Sequence, residues 1–235
     1  MNKIITYITA GEPNTQLTCE YIHTLAEQSD FVMVGLPFSD PVADSPVVEA
    51  AFMRALAAGV TTDCVFGMTQ GVAEGKVVIS TYANPVFIYG YDRFFAKCKA
   101  CGVFGVLIPD LPHEERGEIQ QYAKAHGIHL ITMIMPSSVG RVKMLAENAS
   151  GFIYLIAATD EKGNLAPPSV DMLAEIRMVT DVPVYVGGMI ATTEQIANAR
   201  NAADGVVIGN AMVEIIVENG ENASPMLREF IEKIV

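Results

Sequence analysis

Two carboxylates four residues apart, Asp40 and Asp44, follow an apolar run that ends in glycine, in the stretch FVMVGLPFSDPVADSP (31–46). A carboxylate just beyond a strand can move a proton, or hold a polar ring N–H by a charge-assisted hydrogen bond. Asp44 can equally cap a helix that starts near Ser45, since Asp and Ser are preferred at that position. Asp40 suits a loop-fixing role through bonds to its own backbone. A third acid, Asp110 in IPDLPHEE (108–115), also stands between an apolar run and a helix start. A second kind of chemistry is offered by Gly163, Gly188 and Gly209, the last followed by Asn210. Free amides at a helix start can hold a phosphate, although glycines there can also serve only to turn a loop tightly. The histidines His23, His113, His126 and His129 show no metal-ligand spacing, and of these only His113 falls in a loop near the acids. CKAC (98–101) has no second ligand pair to complete a zinc site. No metal and no cofactor are therefore expected, and the cysteines read as reduced thiols.

Such residues need a frame. Eight short apolar runs recur: 4–9, 31–36, 77–82, 105–109, 129–135, 151–157, 182–188 and 205–209. They are rich in Val, Ile and Tyr, and several are apolar on both faces, as strands of a parallel sheet covered by helices are. Between them lie segments such as QLTCEYIHTLAEQ and EERGEIQQYAKAHG, where apolar residues recur every three or four positions. Eight alternating units predict an α/β fold, a (β/α)8 TIM barrel, in which chemistry gathers at the C-terminal ends of the strands. The acids and glycines above all fall at or past such ends. PMLREFIEKIV (225–235) predicts a closing amphipathic helix with Pro225 in its first turn. No linker divides the chain, so one barrel domain over residues 1–235 is expected.

Composition narrows the partners. The 235 residues are 51% hydrophobic and 18% charged, enough for a sizeable core and unlike a disordered chain. A net charge of −12 with only 15 Lys and Arg argues against a nucleic-acid partner. No apolar run reaches membrane-spanning length and no signal peptide is legible, so no membrane association and a cytoplasmic location are expected.

YITAGEP (7–13), GLPFSDPVADSP (35–46), YANPVFIYG (82–90) and IPDLPHEE (108–115) closely resemble the tryptophan synthase alpha subunit family. PVYVGGMIATTEQI (183–196) and DGVVIGNAMV (204–213) resemble its last two strand regions. The resemblance implies the same barrel and a lyase that cleaves indole-3-glycerol phosphate to indole and glyceraldehyde 3-phosphate. It also implies a partner, a pyridoxal-phosphate-dependent beta subunit that receives the indole; this chain would carry no cofactor itself. Asp44 matches the loop aspartate that holds the indole nitrogen. Tyr7, Tyr82, Asp110, Gly163, Gly188, Gly209 and Asn210 match positions expected to bind substrate.

The resemblance breaks at several of these positions. The family's general acid and base is a glutamate two residues before the glycine of GxPFSDP, and here that position is Met33. Methionine carries no transferable proton. Ser45 stands for a family glycine, Ser80 for an apolar residue against the indole, Lys162 for a loop threonine, Met189 for a phosphate-loop glycine and Asn210 for a serine. The expectation is therefore an alpha-type lyase that is weak or inactive alone. Two alternatives stay open: a non-catalytic alpha-like protein that regulates a beta subunit, and a barrel lyase or isomerase for another small phosphorylated substrate.

Overall fold

A computed structural model of the chain describes residues 3–158, 169–188, 190 and 192–234. Its strands are β1 Lys3–Thr9, β2 Phe31–Gly35, β3 Val77–Ser80, β4 Val103–Leu107, β5 His129–Leu130, β6 Thr132–Ile134, β7 Ile153–Ile156, β8 Val184–Gly187 and β9 Gly205–Ile208. Helices follow them on the outside: α1 Thr15–Gln28, α2 Pro46–Ala57, α3 Thr62–Thr69, α4 Ala83–Tyr89, α5 Tyr91–Ala100, α6 Arg116–His126, α7 Val142–Glu147, α8 Val170–Arg177, α9 Thr193–Ala202, α10 Asn210–Asn219 and α11 Ala223–Ile234. Every strand pairing is parallel. The fold is the (β/α)8 barrel that the alternating runs predict.

The fifth apolar run differs from expectation. It is broken at Ile131 into β5 and β6, which lie at the two ends of the order β5-β4-β3-β2-β1-β9-β8-β7-β6. β5 bonds to β4 and β6 bonds to β7. One continuous stretch of chain thus joins both ends of the sheet and closes the cylinder. The break is held from outside by Arg116, at the start of α6. Its guanidinium donates to the Leu130 carbonyl at 2.7 Å and to the Thr132 hydroxyl at 3.0 Å, on either side of Ile131.

Alternate residues of each strand feed two cores, which is why the runs are apolar on both faces. Ile4, Ile8, Val32, Val34, Ile79 and Val106 pack outward under the helices, against Tyr21, Leu25, Phe66 and Phe94 among others. Ile5, Tyr7, Met33, Val78, Leu107 and Val207 point into the barrel. At the N-terminal end of the cylinder, aromatic rings fill the interior. Phe31 lies 4.5 Å from Phe104 and 5.5 Å from Phe152, and Phe152 lies 5.2 Å from Tyr185, centroid to centroid. With one end packed in this way, only the C-terminal mouth is left for a ligand. α11 begins at Ala223, two residues earlier than the proline-led pattern suggests, with Pro225 in its first turn.

Candidate active site

Asp44 hangs over the mouth on the loop after β2. Its carboxylate accepts a hydrogen bond of 2.6 Å from the Tyr82 hydroxyl, which in turn accepts from the backbone N–H groups of Val42 and Ala43 at 3.2 and 3.1 Å. One phenol therefore fixes both the acid and the loop that carries it. Tyr82 is itself set by its neighbours. It precedes α4 without capping that helix by its side chain; Asp110, from the loop after β4, accepts from the Ala83 N–H at 2.9 Å and supplies the cap instead. The PDLP and YANP stretches thus meet in order to hold Asp44.

Below this loop lies a cavity of about 610 Å³. Tyr7, Met33, Asp44, Gly188, Gly209 and Asn210 line it, together with Ser80, Leu107, Met133, Tyr154 and Val207. Tyr82 and Asp110 do not; they sit behind Asp44. Gly163 lies outside the described residues, as do Asp160, Glu161, Lys162 and Met189. Met33 is 1% exposed and stands on β2 opposite Tyr7 in register. Among the described residues of the lining, Asp44 is the only carboxylate, and no Lys, Arg or His joins it. Glu12 is held elsewhere, paired with Arg54 of α2 at 2.8 Å, and His113 is not part of the wall.

Burial raises the Asp44 pKa; the Tyr82 hydrogen bond pulls it down and the Glu49 carboxylate adds to the rise. Tyr82 is pushed well above its ordinary value by burial and by donating to Asp44. Burial, then the charge of Asp44, does the same to Tyr7 and Tyr154. All three phenols thus stay neutral near one carboxylate, and Tyr82 donates to it. Two of them enter the barrel only because glycines make room: a Cβ on Gly35 would lie 2.1 Å from the Tyr7 oxygen, and one on Gly187 would lie 2.5 Å from the Tyr154 ring.

The other side of the mouth suits an anion. Gly209 precedes α10 with no side-chain cap; the Met212 amide already bonds back to the Gly209 carbonyl at 2.9 Å, and the amides ahead of it are the ones that suit a ligand. Gly188 adopts φ 128, a conformation open to glycine. Ser45 proves to be the N-cap residue of α2 in place of Asp44, yet its hydroxyl makes no cap bond and donates to the Asn210 carbonyl oxygen at 2.8 Å. Asp40 accepts from the Ser39 hydroxyl, not from its own backbone. No group of three His, Cys, Asp or Glu able to hold a metal occurs among the described residues, and none of their helices is long and apolar enough to cross a membrane.

A family model for the tryptophan synthase alpha chain matches residues 1–234. The chain belongs to the tryptophan synthase alpha chain family. It is 39% identical over 237 residues to the tryptophan synthase alpha chain of Lacticaseibacillus casei, with 98% of this chain and 89% of that one covered. The alpha chain of Alkaliphilus metalliredigens is 35% identical, with 98% and 90% covered. Among solved structures, the tryptophan synthase a2b2 complex of Pyrococcus furiosus contains a chain that superposes with a TM-score of 0.87 at 30% identity, covering 100% of this chain and 99% of that one. Subunit alpha from Campylobacter jejuni gives 0.87 at 29%, with 100% and 96% covered.

Within this alpha-chain barrel, sequence reasoning passed over Tyr154, Leu107, Met133 and Val207. They lie inside strands that are apolar on both faces, where alternation leaves no visible trace. Counting positions in twos along each run from a residue known to face inward would have found Tyr154.

Proposed function

We propose that the chain is an alpha-type lyase that cleaves indole-3-glycerol phosphate to indole and glyceraldehyde 3-phosphate, with a proton transfer slowed by Met33. The carrying observation is Asp44, held by Tyr82 over a largely apolar cavity at the barrel mouth. The indole would occupy the space beside Met33, Leu107 and Met133, its N–H on Asp44. The phosphate would rest on amides at Gly188, Gly209 and the start of α10, where no cation is needed. Cleavage requires a proton added at the ring carbon that bears the glycerol chain and another removed from the adjacent hydroxyl. The C–C bond then breaks with its electron pair returning to the ring, releasing indole and the aldehyde. Asp44 stabilises the ring cation between these events. With Met33 on the wall, no second carboxylate among the described lining residues relays the proton, and loss of such a group lowers rates by roughly 10²–10⁴-fold.

A partner of the beta-subunit type is part of this reading, supported by the a2b2 assembly of the Pyrococcus furiosus relative. The stretch 41–56, the loop that leads into α2 and most of that helix, would meet it. Val48 and Phe52 of that region pack inward, but Val42 and Met53 are 76% and 57% exposed. Free thiols at Cys19, Cys64, Cys98 and Cys101 accord with a reducing, cytoplasmic compartment, and one barrel domain would carry the whole activity. The lack of a second acid among the described lining residues also favours a second reading, an alpha-like chain that only regulates its partner.

Single-turnover cleavage of indole-3-glycerol phosphate separates the two, with and without a beta subunit. The unaltered chain should be slow, Met33→Glu faster, and Met33→Glu with Asp44→Asn slow again. No gain in a folded, substrate-binding Met33→Glu variant would favour the regulatory reading. Sedimentation showing no complex at tens of micromolar would remove the partner from both.

A further inference from the structure

Ser45 turns its hydroxyl away from its own helix. Its backbone is that of an N-cap, with φ −82 and ψ 160, and serine is among the residues preferred there because its oxygen can take a first-turn amide. The hydroxyl makes no such bond and donates instead to the side-chain oxygen of Asn210 at 2.8 Å. The two residues reach each other across β1, from the segments that follow β2 and β9. Both line the cavity.

A primary amide has two unlike ends, an oxygen that only accepts and an NH2 that only donates. Because Ser45 donates, it takes the oxygen of Asn210. The NH2 is thereby turned away from Ser45, and it makes no hydrogen bond among the described residues. Asn210 is the first residue of α10, so this free donor stands beside the backbone amides that suit an anion. The opposite orientation would set a carbonyl oxygen there and repel one. No Lys, Arg or His lies among the described residues of the wall, so an anion depends on neutral donors that face the right way. The family's glycine at position 45 would have no hydroxyl to give, and its serine at position 210 would have no amide to orient.

We propose that Ser45 is a positioning residue for the anion end of the cavity: its hydroxyl holds the Asn210 oxygen and so turns the Asn210 NH2 toward a phosphate group at the start of α10. This rests on the substrate reading above and adds to it a residue that acts through another, without touching the phosphate itself. The hydroxyl that α2 forgoes as a cap is thus used to set a donor on a different helix.

The test separates the two ends of the ligand. Glycerol 3-phosphate, an anion without the ring, and indole, the ring without the anion, are titrated into the unaltered chain, Ser45→Ala, Ser45→Thr, Asn210→Ala and the Ser45→Ala, Asn210→Ala pair. Amide chemical shifts report the phosphate ligand and show that each variant is folded. The chain contains no Trp, so indole fluorescence reports the other ligand without protein background. Ser45→Ala should weaken glycerol 3-phosphate about 3- to 10-fold, the range for one neutral hydrogen bond, and leave indole unchanged. Ser45→Thr keeps the hydroxyl and should bind as the parent does. The pair should bind no more weakly than Asn210→Ala alone, because Ser45 acts only through that amide. Full phosphate affinity in Ser45→Ala, no recovery in Ser45→Thr, additive losses in the pair, or an equal loss of indole overturns the assignment. Failure of the unaltered chain to bind glycerol 3-phosphate at millimolar concentration overturns the substrate reading itself, a distinct result that takes the Ser45 assignment with it.

Discussion

Ser45 and Asn210 meet side chain to side chain at 2.8 Å, although 165 residues separate them in sequence. Each stands where the family pattern has a different residue, so two departures that look independent along the chain are one contact. The contact ties the N-cap of α2 to the first residue of α10, and with it the loop of Asp44 to the anion end of the cavity. Ser45→Ala and Asn210→Ala should each lose about 0.5–1.5 kcal/mol of stability. The double variant should lose little more than either alone, a coupling that chemical denaturation of the four proteins measures directly.

Tyr82→Phe should do more than remove one bond. It frees the Val42 and Ala43 amides and takes the donor from Asp44, at an expected loss of about 1–3 kcal/mol. Because that donor lowers the Asp44 pKa, its removal should raise the value further. Carboxyl carbon shifts followed against pH read this out, and an unchanged titration would contradict the geometry.

Asp44 should weaken the fold when ionised. Its pKa is raised above 3.8, so the folded chain holds the proton to higher pH than the unfolded chain does. Stability then falls as pH rises from 3.8 through the raised value, and the penalty is complete above it. Asp44→Asn keeps an acceptor for Tyr82 and should be the more stable protein at pH 7. The difference should vanish below 3.8. Paired thermal melts across that window decide it.

Gly35→Ala places a methyl group against the Tyr7 oxygen, where only 2.1 Å is available. Overpacking of this kind costs about 1–3 kcal/mol. Adding Tyr7→Phe removes the nearest clashing atom and should restore part of the loss, as denaturation of the pair would reveal.

The barrel was legible because its signals are local: apolar runs at regular spacing, with amphipathic segments between them. Asp44, Gly188, Gly209 and Asn210 were legible for the same reason, since each ends or follows a run. The split at Ile131 was not, because HLITMIM reads as one uninterrupted strand and Arg116, which holds the break, lies on a helix before it. The supporting role of Asp110 was hidden as well. Its own helix start offers an obvious use for it, and only the closed cylinder brings it to Ala83. Nor does sequence distinguish Tyr7 from Tyr82, since pairing of a hydroxyl depends on loops that meet from different units.

Ile131 also marks where the tube would come undone. The two-residue β5 and three-residue β6 are the shortest rungs of the ladder, against seven residues in β1 on the opposite side. Opening there would bare two sheet edges at once, and an unpaired edge is a template for another chain. Arg116 is the clasp on that seam. Its loss should be felt first as a tendency to self-associate on warming, before any change at the mouth of the barrel.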